Sequence, residues 1–78
     1  MIELIRYCRN TLRPYMTRKT PNRKHSVYVL KHIVEAEIGQ YVSEEELQMV
    51  LFGLGFPISD YYPIQEEYFK LKGGLYHG

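Results

Sequence analysis

Hydrophobic residues recur at spacings of three and four positions in three stretches of the chain. This spacing predicts helices over residues 2–12, 26–38 and 44–54. The apolar positions that would face a core are Ile2, Ile5, Cys8 and Leu12 in the first helix, Val27, Leu30, Ile33, Val34 and Ile38 in the second, and Leu47, Val50, Leu51 and Leu54 in the third. Each helix is therefore expected to be amphipathic and to bury one face.

The second and third of these helices also carry signals at their ends. Ser26 is placed to accept a backbone N–H bond at the start of the second helix, and Gly39 is typical of a left-handed stop. Ser43 and Glu46 have the spacing of a capping box at the start of the third. The three glutamates at residues 44–46 lie at the positive end of the helix dipole, which accounts for them without a catalytic role.

The pattern changes after Pro57, where apolar and polar residues begin to alternate. Phe69 and Leu71 alternate with polar neighbours, as in a half-buried strand, and residues 56–72 are predicted to form a β-hairpin. Three helices followed by a hairpin predict an α+β fold of the winged helix-turn-helix type. Helix 44–54 would be the recognition helix and the hairpin would be the wing.

The length of 78 residues, with 45% hydrophobic and 24% charged residues, predicts one folded domain over residues 1–78. We expect it to comprise a basic helix and loop over 1–25, a core with its wing over 26–72, and a loose tail over 73–78. One cysteine excludes an intramolecular disulfide. No apolar run approaches the roughly 20 residues of a membrane span, and the N-terminus does not have the pattern of a signal peptide.

Charge is divided unevenly along the chain. Residues 1–25 contain seven basic residues and one acid, whereas residues 26–78 contain three basic residues and eight acids. Either the basic segment folds back on the acidic remainder, or it binds a polyanion. In the second case the contacts to DNA or RNA are expected from Arg9, Arg13, Arg18, Lys19, Arg23, Lys24, Lys31 and the wing residues Lys70 and Lys72.

The composition of the predicted recognition helix argues against recognition of DNA bases in a groove by this helix. Its exposed positions include Glu44 and Glu45, and carboxylates that face phosphates oppose binding. A recognition helix normally presents Arg, Lys, Asn or Gln to base edges. Nucleic-acid binding would therefore depend on the basic N-terminal segment rather than on this helix.

A polar stripe on helix 26–38 has two interpretations. Tyr28, Lys31, His32 and Glu35 share one face, and a lysine and a histidine beside a carboxylate suit phosphate binding or acid–base chemistry. The same spacing also follows from an amphipathic helix whose solvated face carries a Lys31–Glu35 ion pair. Because amphipathicity alone accounts for the spacing, the sequence favours the solvated face over a functional site.

The sequence contains no clear pattern for a metal site or for a catalytic nucleophile. The available metal ligands Cys8, His25, His32 and His77 have no finger-like spacing, and we expect no metal and no cofactor. Cys8 lies on the apolar face of its helix, which favours a core residue over a nucleophile. The chain is therefore predicted not to be an enzyme.

Three short stretches match a pattern of known sequences. They read Ser-Val-Tyr-Val-Leu-Lys-His-Ile-Val-Glu over 26–35, Tyr-Val-Ser over 41–43 and Gly-Phe over 55–56. This S-x-Y-x-L-K-H-x-x-E … Y-V-S … G-[FY] pattern resembles small uncharacterised bacteriophage and prophage proteins. Those proteins often carry Asn-Gly where this chain has Glu44-Glu45, which leaves open whether a shared surface is kept there. The resemblance implies a phage or mobile-element setting in the bacterial cytoplasm and supplies no activity.

Two functions follow as hypotheses. The first is a small phage-type module that binds nucleic acid through the basic N-terminal segment, in a regulatory or accessory role. The second is a phage-encoded inhibitor that binds a host protein, such as a defence nuclease, through the exposed side chains of Met49, Phe52, Tyr61 and Tyr62, which are of types enriched in protein interfaces. Assembly into a homo-oligomer is compatible with a module of this size, and no membrane partner is expected.

Overall fold

Four α-helices account for most of the regular structure in residues 1–75, the part of the chain that the computed structural model describes. They are α1 (Ile2–Tyr7), α2 (Val27–Ile38), α3 (Glu44–Gly53) and α4 (Glu66–Lys72). Gly73–Leu75 form a 3₁₀ turn at the start of the predicted loose tail, and residues 76–78 of that tail lie outside the described residues. None of the helices within residues 1–75 is long and apolar enough to cross a membrane.

The first helix changes its winding before it ends. After Tyr7 the chain widens into a π-helical turn over Cys8–Leu12, in which the N–H of Arg13 bonds to the carbonyl of Cys8, and then tightens into a 3₁₀ turn over Arg13–Tyr15. Pro14 has no N–H to donate, and its ring would clash with the preceding turn of a continuous α-helix. The wider turn lets the helical segment run past residue 12 while Cys8 and Leu12 both stay buried.

The buried face of α1 is not the one that the apolar spacing predicts. Leu4 and Tyr7 point into the core beside Cys8, whereas Ile2 is exposed and Ile5 only half-buried. The hydroxyl of Tyr7 makes hydrogen bonds to Glu37 and Tyr68 inside the molecule, so the face of α1 that carries Tyr7 packs against the core. The assignment of Ile2 and Ile5 to the core is therefore wrong.

Helices α2 and α3 form within one residue of their predicted bounds. Gly39 ends α2 in the left-handed conformation, with φ of 71°, and donates its N–H to the carbonyl of Glu35 at 2.8 Å. The capping box is present: Ser43 Oγ accepts from the Glu46 N–H at 3.1 Å, and Glu46 Oε1 accepts from the Ser43 N–H at 3.0 Å. These bonds from Ser43 hold the pKa of Glu46 below its usual value. Ser26, by contrast, makes no side-chain capping bond.

The predicted hairpin is wrong, and with it the α+β class and the winged helix. No β-strand occurs within residues 1–75, and the predicted wing consists of an irregular segment, 56–65, followed by helix α4. Tyr68 and Phe69 are adjacent and both buried, which a strand with one buried face does not allow. Acids in the first turn of α4 and lysines in its last turn complement the helix dipole, so the same residues are stable as a helix.

The irregular segment 56–65 packs against the loop between α1 and α2. Four backbone hydrogen bonds join the two stretches in opposite chain directions: Gln65 N–H to Tyr15 O at 2.8 Å, Arg18 N–H to Pro63 O at 3.2 Å, Asn22 N–H to Tyr62 O at 2.8 Å and Val27 N–H to Asp60 O at 2.7 Å. The bonds are too far apart to make a ladder. They nevertheless fix the loop against a distant part of the chain.

One hydrophobic core joins all four helices and both irregular stretches. Its buried members are Leu4, Tyr7, Cys8, Leu12, Met16, Val27, Leu30, Ile33, Val34, Val42, Leu47, Leu51, Tyr62, Ile64, Tyr68 and Phe69. Cys8 is fully buried, which confirms its place in the core, and burial raises the pKa of its thiol to about 12. A thiol in that state is protonated at neutral pH and is a poor nucleophile.

Candidate nucleic-acid interface

Asn22 anchors the basic loop that connects α1 and α2. Its side chain is buried, with Nδ2 donating to the Ile64 carbonyl at 3.0 Å and to Glu66 Oε1 at 3.1 Å. Its Oδ1 accepts from the Lys24 N–H at 3.0 Å. Because both ends of the amide are used, the loop residues on either side of Asn22 have fixed positions.

A histidine–carboxylate pair reinforces this anchor. His25 Nε2 lies 2.9 Å from Glu66 Oε2, and the imidazole stacks on the Phe69 ring with 3.9 Å between ring centroids. Hydrogen bonds from His25 and then from Asn22 hold the pKa of Glu66 below its usual value. The basic segment is therefore an ordered part of the fold and is tied directly to α4.

The cations of this segment stay at the surface. Arg9, Arg13, Lys19, Arg23 and Lys24 are exposed and Arg18 is half-buried. In the described part of the chain none of them pairs with a carboxylate, since the ion pairs found there are His25–Glu66, Lys31–Glu35, His32–Glu35 and Lys72–Glu37. The segment folds back on the acidic remainder through its backbone, Asn22 and His25, and leaves these six positive charges available.

The three lysines outside the segment differ from one another. Lys31 Nζ is 3.4 Å from Glu35 Oε1, and only 12% of its side chain is exposed. Lys72 Nζ is 3.2 Å from Glu37 Oε1, whereas Lys70 is exposed. Lys70 and Lys72 belong to the last turn of α4 and not to a wing, so of the three only Lys70 remains available to a phosphate.

The polar stripe of α2 is more enclosed than a solvated helix face. Glu35 Oε1 lies 3.2 Å from His32 Nδ1 and also receives Lys31, and all three side chains are at most one-third exposed. The Lys31 ammonium lies 5.4 Å from the centre of the Tyr28 ring and 5.6 Å from that of Tyr41. The predicted Lys31–Glu35 ion pair is present, and a cation–aromatic cluster covers it.

A second cation–aromatic pair lies beside the start of α2. The Arg23 guanidinium lies 5.3 Å from the centre of the Tyr61 ring. The spacing of Tyr28 and Lys31 on one helix is the local signal by which their contact could have been found. Tyr41 and Tyr61 reach their cations across turns of the chain and carry no such signal.

The side chains of the alternative protein interface do not all reach the surface. Met49 and Phe52 are exposed on α3, and Tyr61 is half-buried beside Arg23. Tyr62 is only 2% exposed, and its hydroxyl accepts from the Ser59 N–H at 3.3 Å. Its predicted exposure is wrong because its ring fills the core under segment 56–65.

An apolar groove runs between α1 and α3. It has a volume of about 310 Å³ and is lined by Met1, Ile5, Arg9, Met49, Val50, Gly53 and Leu54. Arg9 provides the one charged side chain in this lining. The groove is therefore suited to an apolar ligand surface with a negative group at its edge.

Neither a group of metal ligands in the described residues nor a similar known protein indicates what this site binds. Within residues 1–75 no three His, Cys, Asp or Glu side chains are grouped so that they could hold a metal ion. His77, one of the four possible ligands, lies outside the described residues. No family model, curated protein or solved structure matches the chain.

Proposed function

We propose that this protein is a non-enzymatic module that binds nucleic acid through its basic N-terminal segment, in a regulatory or accessory role. The observation that carries the proposal is the set of six surface cations from Arg9 to Lys24, which have no carboxylate partner in the described chain. Phosphates attract such cations strongly, and binding releases the counterions condensed on the nucleic acid.

The order of the segment adds to the proposal. Backbone bonds at Arg18 and Asn22 hold the loop in place, so its cations are not on a flexible tail. A surface that is already ordered loses less conformational entropy on binding. The formal net charge is only +1, so attraction to a polyanion has to come from this local cluster rather than from the whole chain.

Fluorescence anisotropy with labelled DNA tests the proposal, at salt concentrations of roughly 50 and 200 mM. We expect binding at the lower salt that weakens steeply at the higher. The double variant Arg18→Gln, Lys19→Gln is expected to weaken binding and to reduce the slope of log K against log salt by about 1.4 to 1.8. The variant Ala36→Glu, Leu71→Glu changes two exposed residues elsewhere, lowers the net charge equally and serves as the control. Equal affinity of the first variant and the wild type would refute the proposal.

The second candidate function is inhibition of a host protein, and the groove between α1 and α3 favours it. An apolar helix of the partner would lie against Met49 and Leu54, with an acidic residue directed to Arg9. Met49→Asp is expected to abolish co-purification of such a partner, while Arg18→Gln, Lys19→Gln leaves it intact. The reverse result would assign the interaction to the basic segment.

A further inference from the structure

Three tyrosines surround the start and the end of helix α2 with rings at or near the surface. Tyr28 is 51% exposed and Tyr41 is 75% exposed, while Tyr61 is half-buried. Each ring has a cation within 5.6 Å of its centre: Lys31 beside Tyr28 and Tyr41, and Arg23 beside Tyr61. We call these three residues the tyrosine face.

Contacts inside the molecule hold these rings in position. The Tyr28 ring meets the His32 imidazole edge to face, with centroids 4.7 Å apart and an angle of 76°. Lys31, which contacts both exposed tyrosines, is itself fixed by Glu35. The Tyr28 ring is thus oriented before any ligand arrives, which reduces the entropy lost on binding.

The tyrosine face adjoins the basic segment. The bond from the Val27 N–H to the Asp60 carbonyl, 2.7 Å long, holds residue 60 against the first turn of α2. Tyr28 follows Val27 and Tyr61 follows Asp60, so both tyrosines are sequence neighbours of the two bonded residues. Arg23 and Lys24 lie just before the first turn of α2. Two cations suited to phosphates and two rings suited to bases, those of Tyr28 and Tyr61, therefore lie near the start of α2, and Lys31 lies within 5.6 Å of the Tyr28 and Tyr41 ring centres.

From this juxtaposition we propose that the ligand is single-stranded nucleic acid, with unpaired bases stacked on the tyrosine face and phosphates held by Arg23 and Lys24. The inference depends on the nucleic-acid binding proposed above and specifies its substrate. An exposed aromatic ring gives an unpaired base a stacking partner of any sequence, whereas the bases of a duplex are already stacked on each other. The glutamates at the start of α3 also disfavour entry of that helix into a major groove.

The test compares a labelled oligothymidylate of roughly 20 nucleotides with a duplex of equal length, by anisotropy at low salt. We expect the single strand to bind more tightly. Tyr28→Ala and Tyr41→Ala are each expected to weaken its binding by roughly 5- to 150-fold, the range for loss of one stacked base. Tyr28→Phe and Tyr41→Phe keep the ring and are expected to stay within about twofold of the wild type.

The outcomes separate this inference from the function on which it depends. Alanine variants that bind the single strand like the wild type, while Arg18→Gln, Lys19→Gln weakens binding, would overturn the tyrosine face and leave the basic segment in place. Tighter binding of the duplex would also overturn it. Absence of binding by the wild type to both probes would refute both proposals. Unchanged circular-dichroism spectra and melting temperatures verify that the variants are folded.

Discussion

The phenol oxygens of Tyr7 and Tyr68 lie 2.8 Å apart in the core and join α1 to α4. Tyr7 donates its own proton to Glu37 Oε1 at 3.1 Å, so Tyr68 is the donor to Tyr7. Lys72 closes the chain of contacts at 3.2 Å from the same carboxylate oxygen. Burial raises the pKa of both phenols, and the nearby Glu37 carboxylate adds to the rise. One hydrogen-bonded chain thus connects α1, α2 and α4.

Replacement of Tyr7 by Phe is expected to lower the free energy of unfolding by about 1–3 kcal/mol, because the Tyr68 hydroxyl and Glu37 each lose a partner. Urea denaturation followed by circular dichroism measures the change. Tyr41→Phe removes a hydroxyl from an exposed ring and is expected to stay within about 0.5 kcal/mol of the wild type. Equal stability of the two variants would show that the buried hydroxyl contributes nothing.

Replacement of Asn22 by Ala is expected to cost about 1–3 kcal/mol, since the Ile64 carbonyl loses its partner in a site closed to water. The same variant should also release the loop that carries Lys19 and Lys24, so that its amides exchange with solvent faster. Denaturation and hydrogen exchange measure the two effects. Asn10→Ala, at an exposed position, is the matched control and should change neither.

Glu66 is expected to make stability depend on pH in the acid range. Its pKa is lower in the folded protein than in the unfolded chain, so its contribution is complete above the unfolded pKa of about 4.5 and is lost as pH falls through the folded value. Glu66→Gln should therefore flatten the loss of stability below about pH 5. Melting temperatures from pH 7 to pH 3 follow this effect, with the exposed neighbour as control in Glu67→Gln. A control as flat as Glu66→Gln would contradict the assignment.

Two glycines are expected to respond to alanine in opposite directions. Gly39 has a φ of 71°, which costs an L-residue roughly 1–2 kcal/mol, so Gly39→Ala should destabilise the protein by about that amount. Gly53 is helical with open space around its α-carbon, so Gly53→Ala should stabilise it by about 0.4–1 kcal/mol. Urea midpoints of the two variants on the same side of the wild type would refute the expectation.

Local signals were sufficient for the two central helices. The stop at Gly39 and the capping box at Ser43 and Glu46 act within one turn of the chain, and the structure has them where the sequence predicts them. The face of α1 was not predictable in this way. It depends on the partners that the Tyr7 hydroxyl finds on α2 and α4, 30 and 61 residues away.

Helix α4 stands where a strand was predicted, because two signals in its sequence conflict. The alternation of Phe69 and Leu71 with polar neighbours predicts a strand, whereas the acids in the first turn of α4 and the lysines in its last turn favour a helix. Burial of Tyr68 beside Phe69 decides for the helix, and that burial depends on packing against the rest of the core. Period-two patterns in so short a stretch do not exclude a helix.

The candidate site was predictable in its charges but not in its geometry. The excess of cations before residue 25 is a property of composition, and so is the acidic start of α3. The contact of Arg23 with Tyr61 and the meeting of Lys31 with Tyr41 arise only when distant turns fold together. The surface cations could be proposed from sequence, whereas their aromatic partners required the fold.

The bond between Asn22 and Glu66 also determines when the basic segment takes its shape during synthesis. The two residues are 44 positions apart, and the carbonyls that hold the loop belong to residues 60–64. A nascent chain that has not yet released those residues from the ribosome has no anchor for a loop that left it much earlier. The loop around Asn22 is therefore fixed only after Glu66, 44 positions further along the chain, has been synthesised.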